Sequence, residues 1–309
     1  MTLQQLEYVV SLDNHKQFVR AAEQCYVSQP NLTTQIKKLE DEIGIRIFDR
    51  NSKPVKPTQA GEQFIIKARQ IIREVNDLKE FVSTKKESIK GEFKLGVIPT
   101  IAPYLLPKFL SNFVEEYPET HLVIKELTTE QIIHELNRGT LDMGFMATPL
   151  NVNSIREIPL FYEPFLLYLP NNHPYAKIKE LTADKIKNRG LLLLTEGHCF
   201  REQALQLCSS HKTENNRKFE FESGSIETIK GLVQENMGYA LVPELSVDSI
   251  TDKNYVKHFA DPQPVREISI VVNNNFPKEA LIECLRDSVQ NIIPEHLKKG
   301  EKYTRVKWR

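Results

Sequence analysis

Apolar positions recur at two different spacings along this chain. Up to about residue 58 the spacing is helical: Leu3, Leu6, Val9 and Val10, then Phe18, Ala21, Ala22 and Cys25, then Leu32, Ile36, Leu39 and Ile43. Each set marks one buried helix face. Ser28 or Gln29 opens the third helix, Pro30 suits its first turn, and Gly44 closes it. The stretch "IRIFDRNSKPVKP" predicts two short strands around a polar, basic tip. Over 59–88 a single apolar stripe runs through Phe64, Ala68, Ile71, Ile72, Val75, Leu78 and Val82. A helix this long with one apolar face needs a partner, either its own domain or a second copy of itself.

From 91 to 293 the pattern alternates between strand and helix, as in an α/β unit. "FKLGVI", "HLVIKEL", "LDMGFMA", "PFLLYLP", "LLLL", "KFEFE", "YALVP" and "EISIVV" predict strands. "YLLPKFLSNFVEEYP", "EQIIHELNRG" and "KEALIECLRDSVQNII" predict helices. The region is large for one sheet. Chain crossings near Phe161–Glu163 and Gln263–Arg266 divide it into lobe I, 91–161 and 267–300, and lobe II, 162–266, with a cleft between. The predicted segments are therefore 1–58, 59–90 and 91–309. The tail "EHLKKGEKYTRVKWR" is polar and basic and is expected to be mobile, without a function.

Composition changes this picture little. Forty-one basic and 41 acidic residues cancel, so only local charge can speak for a nucleic-acid partner. Four cysteines among 309 residues are not a secreted disulfide framework. The opening "MTLQQLEYVVSLDNHKQF" lacks the parts of a signal peptide, and no apolar run approaches the ~20 residues of a membrane span. The expectation is a cytoplasmic protein without a membrane, in which a disulfide is regulatory rather than structural.

"FVRAAEQC" and "QPNLTTQIKKLE" have the lengths of a helix-turn-helix. The second helix presents Ser28, Gln29, Asn31, Thr33, Thr34 and Lys37 away from its apolar stripe, and these can meet base edges and phosphates in a major groove. Arg50, Lys53 and Lys56 at the hairpin tip suit backbone phosphate. Six basic against four acidic residues from Gln29 to Lys56 is a weak bias, and a solvated helix face fits the periodicity equally well. The motif decides. "FVRAAEQCYVSQPNLTTQIKKLEDEIGIRIFDR", with "PTQAG" at 57–61, resembles the DNA-binding signature of LysR-type transcriptional regulators. Ala21–Ala22, Ser28–Gln29–Pro30, Gln35–Ile36, Leu39–Glu40, Gly44, Phe48 and Arg50 carry the match. The resemblance covers the whole chain. It implies an α/β fold with an N-terminal all-α winged helix-turn-helix. A long linker helix would join this to a two-lobed regulatory domain like the periplasmic binding proteins. It also implies binding of double-stranded promoter DNA as a homotetramer, a dimer of dimers with paired linker helices, and RNA polymerase as a partner.

"EGHCFREQALQLC" holds Cys199 and Cys208, nine positions apart on a predicted helix. Nine helical residues rise about 13.5 Å, whereas a disulfide needs Cα atoms roughly 4.4–6.8 Å apart. A bridge therefore requires the helix to unwind. Two spectator thiols, a metal site with His198 and His211, and a redox switch all remain open on the residues alone. Neither C-x2-C nor C-x4-C appears, which weighs against metal. Cys199 at a helix N-terminus, two residues before Arg201, suggests a lowered thiol pKa. Thr100 ends one strand and Thr129 follows another. With Cys199 they would converge at the carboxyl ends of strands, where ligands bind, with His198 adjacent and Arg266 supplying positive charge from the crossover side. For Arg266 a surface or ion-paired arginine, and for each threonine a turn or cap, is the ordinary alternative. Cys25 and Cys284 read as small core hydrophobes.

"GHCFREQALQLC", "VIPTIAPYLLP", "LFYEPFLLYLPNNHP" and "SIETIKGLVQENMGYALVPELSV" are similar to the OxyR-type branch of the same family, the hydrogen peroxide sensors. That resemblance implies Cys199 as the peroxide-reactive cysteine and Cys208 as its disulfide partner. Thr100, Thr129, His198 and Arg266 would surround the reactive thiol, and a cellular thiol reductant would reset it. It implies no cofactor, no metal and no enzymatic turnover. Phe200 and "SSHKTENNRK" depart from the branch pattern. A regulator binding a small organic effector in the cleft, or a thiol peroxidase, are the competing functions.

Overall fold

The computed structural model describes residues 1–83, 89–187, 189–208, 224–299 and 303–306. The expected strand "KFEFE", the stretch after Cys208 including His211, residues 84–88 of the linker pattern and the side chain of Val82 lie outside the described residues. The chain divides into two compact units, Met1–Glu87 and one built on Ser88–Leu136 and Thr140–Arg309.

In the first unit α1 (Leu3–His15) is opened by a capping box in which Thr2 and Gln5 satisfy each other's amides. The helices α2 (Phe18–Gln24) and α3 (Gln29–Ile43) follow. Ser28 caps α3, Pro30 lies in its first turn, and Gly44 ends it at φ 72°. Val9, Leu12, Ala21, Leu32, Ile36 and Leu39 are fully buried and form the core. A two-stranded hairpin, β1 (Phe48–Asp49) against β2 (Lys56–Pro57), makes the predicted wing. Buried Glu40 pins it to α3, accepting from the Ile47 amide at 2.8 Å, the Phe48 amide at 3.2 Å and Arg50 Nη2 at 2.9 Å. The linker helix α4 (Gln59–Ser83) starts on Thr58, whose hydroxyl accepts from the Gly61 amide. Only glycine fits at 61, because a Cβ there would sit 1.9 Å from the Ile47 carbonyl oxygen. Ile65 and Ala68 are buried, whereas Leu78 further along is 64% exposed.

The second unit carries two hydrophobic cores. The first surrounds β3 (Gly91–Val97), α5 (Ala102–Glu116), β4 (Thr120–Glu126), α6 (Thr129–Arg138) and β5 (Met143–Thr148). The strand β6 (Ile155–Tyr168) leaves this core for the second, which gathers β7 (Leu191–Leu192), α7 (Cys199–Leu207), α8 (Ile226–Gln234), β8 (Tyr239–Pro243) and β9 (Val256–Lys257). The chain returns along β10 (Pro264–Asn273) to α9 (Glu279–Ile292). Strand order is β4-β3-β5-β10-β6-β8-β7, with β9 on β6. β4, β3 and β5 are parallel; β10 runs antiparallel to β5, and β6 runs antiparallel to β10. β6 pairs with β10 through Pro164 and with β8 from Phe165 onward, so this one strand carries the chain from the first core to the second.

Several expectations need correction. β6 begins nine residues before "PFLLYLP". Pro159 and Pro164 interrupt its pattern and demote it as a strand, but Pro159 sits at a register shift against Ser269 where no ladder amide is required. The helix α8, too short for a strong period, was not expected. Of "LLLL" only Leu191 and Leu192 join the ladder. Cys25 and Cys284 are half-buried at the margins of their cores.

The tail is the largest correction. Thr304–Arg305 form β11, parallel to the start of β10. The Val306 amide donates to the Val265 carbonyl at 2.8 Å, and Val306 is buried in the second core. Arg305 pairs with Glu267 at 2.8 Å and donates to the Tyr162 hydroxyl at 3.0 Å. Gln203 Nε2, on α7, donates to the Val306 carbonyl at 2.9 Å. Ending the chain after residue 302 removes one buried valine and these bonds. It should lower unfolding stability by about 2–3 kcal/mol, read as a shifted urea midpoint; an unchanged midpoint would show the docked strand to be energetically idle.

Candidate functional site

Five elements meet around Cys199. Thr100 lies just beyond β3, Thr129 opens α6, Cys199 opens α7, Arg266 is on β10 and Glu163 on β6. Arg266 is 1% exposed and Glu163 0%. Arg266 Nε donates to Glu163 Oε2 at 2.8 Å, and Nη2 lies 2.7 Å from the same oxygen. Its Nη1 donates to the Thr100 hydroxyl at 2.8 Å and its Nη2 to the Thr100 carbonyl at 3.1 Å. The remaining oxygen of Glu163 accepts from the Leu245 amide at 2.9 Å. The pair is thus hydrogen-bonded throughout, as a buried charge pair must be. Burial pushes the Glu163 carboxyl above its ordinary value, against the pull of Arg266 and the Leu245 amide. The guanidinium also lies 5.0 Å above the Phe200 ring, which stacks on Phe165.

Cys199 is 3% exposed and belongs to the first core. Burial raises its thiol pKa above the ordinary value, so the expected net lowering does not occur. Four groups oppose that rise: the Thr129 hydroxyl, the Arg266 charge, and the Phe200 and Ala147 amides. Arg201 is not among them, because its Nη1 donates to the Leu194 carbonyl at 2.7 Å. Thr129 Oγ1 is buried and makes no hydrogen bond of good geometry, yet it is near enough to the sulfur to favour its charged form. We read it as a hydroxyl aimed at the sulfur whose bond completes when the sulfur carries charge. His198 is half-buried at the N-cap of α7. Its ring lies against Gly224, where a Cβ would come within 2.8 Å of Nε2, and burial holds its pKa below the usual histidine value.

Cys208 caps the other end of α7 and belongs to the second core. Both thiols are free, and the helix between them is intact. Burial pushes Cys208 up to about 11, with no opposing group. That asymmetry separates the two thiols: one has a charge-stabilising surround, the other has none. Between the usual thiol value of 9.0 and about 11 the folded chain keeps a proton at Cys208 that the unfolded chain releases. This contribution to stability is complete below that window and is lost as pH rises through it. Urea midpoints should fall across the window, and Cys208→Ala should flatten the fall; an equal slope in both chains would contradict a buried Cys208.

Thr100, Thr129, Cys199 and Arg266 are therefore brought together, and Cys208 is held apart. Reading the sequence missed Glu163, Phe200 and the Ala147 amide. A lone acidic residue inside the apolar run "LFYEPFLLYLP" was the available signal for the first. Tyr104 was missed as well; its hydroxyl donates to Glu227 at 2.8 Å. Among the described residues no cluster of histidine, cysteine, aspartate and glutamate could hold a metal ion.

On the first unit, Gln29, Pro30, Asn31, Thr34 and Lys37 are exposed along the start and outer face of α3, with Thr33 half-buried. The Ser28 hydroxyl is engaged as the cap, accepting from the Asn31 amide. Lys53 and Lys56 are exposed at the wing. Arg50 is partly spent on Glu40, at 2.9 Å.

Among the described residues no helix is long and apolar enough to cross a membrane. Residues 3–62 match the family described as "Bacterial regulatory helix-turn-helix protein, lysR family", and residues 86–292 match "LysR substrate binding domain". A "Hydrogen peroxide-inducible genes activator" of Dickeya chrysanthemi is 35% identical, over 97% of this chain and 98% of that protein. A full-length OxyR of Pseudomonas aeruginosa with a cysteine-to-aspartate substitution superposes with a TM-score of 0.82. It is 34% identical, over 95% of this chain and 99% of that one. A hydrogen-peroxide-bound OxyR mutant of Corynebacterium glutamicum superposes at 0.59 with 27% identity, over 94% and 92%.

Proposed function

The chain belongs to the LysR family of regulators, and on that premise we propose that it binds promoter DNA and senses hydrogen peroxide through reversible oxidation of Cys199. The observation that carries this reading is the buried thiol of Cys199 beside Thr129 and the fixed charge of Arg266, at one end of a helix that keeps Cys208 in a different core.

The chemistry balances as follows. Cys199 loses its proton, and the thiolate attacks one oxygen of the peroxide. The S–O bond forms as the O–O bond breaks, giving a sulfenic acid and hydroxide, which takes up the released proton as water. Arg266 and the two amides stabilise the thiolate, and Thr129, with Thr100 held by Arg266, offers hydroxyls to the peroxide oxygens. Cys208 then attacks the sulfenic sulfur, and a second water leaves as the disulfide forms. A cellular dithiol returns both cysteines to thiols, so the reaction is stoichiometric sensing rather than enzymatic turnover.

The mechanical consequence follows from helix geometry. Nine residues of α7 span about 13.5 Å, so closing the bridge unwinds α7. Phe200 leaves Phe165 and Arg266, and Cys208 leaves its core. That rearrangement alters how regulatory units of neighbouring copies pair, and with it the spacing of DNA-reading heads in a dimer of dimers. Exposed Leu78 on α4 supports pairing of linker helices. α3 would enter the major groove with Gln29, Pro30, Asn31, Thr33, Thr34 and Lys37, Ser28 holding its start, while Lys53, Lys56 and the free edge of Arg50 hold phosphate. RNA polymerase contact and a cytoplasmic setting complete the reading. DNase footprinting of genomic fragments bound by the chain tests it: peroxide should change the protected length for the unmodified chain. A footprint indifferent to peroxide but altered by a small organic metabolite would replace it with an effector-binding regulator.

A further inference from the structure

We propose that Tyr26, in the turn before α3, is a DNA-contacting residue whose hydroxyl binds a backbone phosphate; the inference rests on the DNA-binding reading above. Tyr26 is 94% exposed, so its ring supports neither the core nor a neighbour. Its backbone has φ 54°, a left-handed conformation ordinarily taken by glycine or asparagine. The turn demands that conformation: the Tyr26 amide donates to Glu23 at 3.1 Å and the Val27 amide to Ala22 at 3.0 Å, which ends α2.

The other non-glycine residues with positive φ are explained locally. Asn151 and Asn236 are of the suited type, and Lys16 pairs with Asp13. Among the described residues Tyr26 alone combines an unsuited side chain, a strained backbone and full exposure. The turn accounts for the backbone but not for the tyrosine: an unsuited side chain that makes no fold contact points to function. Its place selects the partner. It lies two residues before the Ser28 cap, beside exposed Gln29 and Asn31 at the end of α3 that faces DNA. An exposed phenol hydroxyl suits a phosphate oxygen, a contact that positions without reading sequence. A non-specific duplex should therefore report it.

The test is equilibrium binding of the full chain and its variants to a poly(dI-dC) duplex over a range of salt, with thermal melting of each. Tyr26→Gly should weaken binding about 3- to 10-fold, the worth of one hydrogen bond, while its melting temperature holds or rises because strain is relieved. Tyr26→Phe should lose the same affinity. The salt slope should stay unchanged, since a neutral hydroxyl releases no counterion. Unaltered binding by Tyr26→Gly, or a loss that appears only with a lowered melting temperature, overturns the inference. A parent chain that fails to hold the duplex removes the DNA-binding reading as well, which separates the two failures.

Discussion

A chain carrying Cys199→Ser stays folded and holds duplex DNA, but forms no disulfide and gives the same footprint with and without peroxide. The substitution keeps nearly the same volume at a site only 3% exposed. The new hydroxyl gains Thr129 Oγ1, a buried atom that otherwise lacks a good partner. Stability should therefore change by no more than about 1–2 kcal/mol. The chemical loss is complete, because a serine hydroxyl is not a nucleophile toward peroxide at neutral pH and cannot become a sulfenic acid. Intact-mass and urea measurements on one preparation check both halves. A variant that still changes footprint with peroxide would move the sensor to another residue. Cys208→Ser should behave differently: it should still add one oxygen at Cys199 but fail to form the bridge.

Breaking the Glu163–Arg266 pair should have the largest effect on stability. Both residues are fully buried, and every nitrogen of the guanidinium is bonded. Glu163→Gln leaves the arginine charge without its counter-ion, and its amide cannot accept from both Arg266 and the Leu245 amide. Losing one partner of such a pair costs about 3–5 kcal/mol. Replacing both, Glu163→Leu with Arg266→Met, removes the buried charges but leaves the Leu245 amide and the Thr100 carbonyl without partners, so it should recover only part of that loss. The double variant should also oxidise more slowly at neutral pH. Removing the Arg266 charge removes one of the forces that pull the Cys199 pKa down against burial, so its rate profile moves to higher pH. A double variant that folds and oxidises at the parent rate would reduce Arg266 to a structural role.

The helix-turn-helix was legible because its signals are local: apolar spacing, Ala21–Ala22, the Ser28 cap and the Gly44 stop all act within a few residues. Pro159 hid the first half of β6, because a proline inside an apolar run argues against a strand there. Strand ends pointed to Thr100, Thr129 and Cys199; Arg266 lies at the start of its strand, and its pairing with Glu163 is the ordinary ion-paired alternative. The sign of the Cys199 shift was not legible, because burial is a tertiary property and Arg201 turns to Leu194 instead. Glu163 was missed for the same reason: its partner is 103 residues away. The tail misled because its strand is only two residues long and its one anchoring valine sits in a basic run.

The most direct measurement treats the reduced full chain with one equivalent of hydrogen peroxide, blocks free thiols, digests it and weighs the peptides. A Cys199–Cys208 linked peptide that forms rapidly and is reversed by a dithiol is the predicted result, and it requires α7 to have opened. Both cysteines recovered as blocked thiols, in a chain that still binds DNA, would contradict the peroxide switch and leave a LysR-family regulator whose signal must be sought elsewhere.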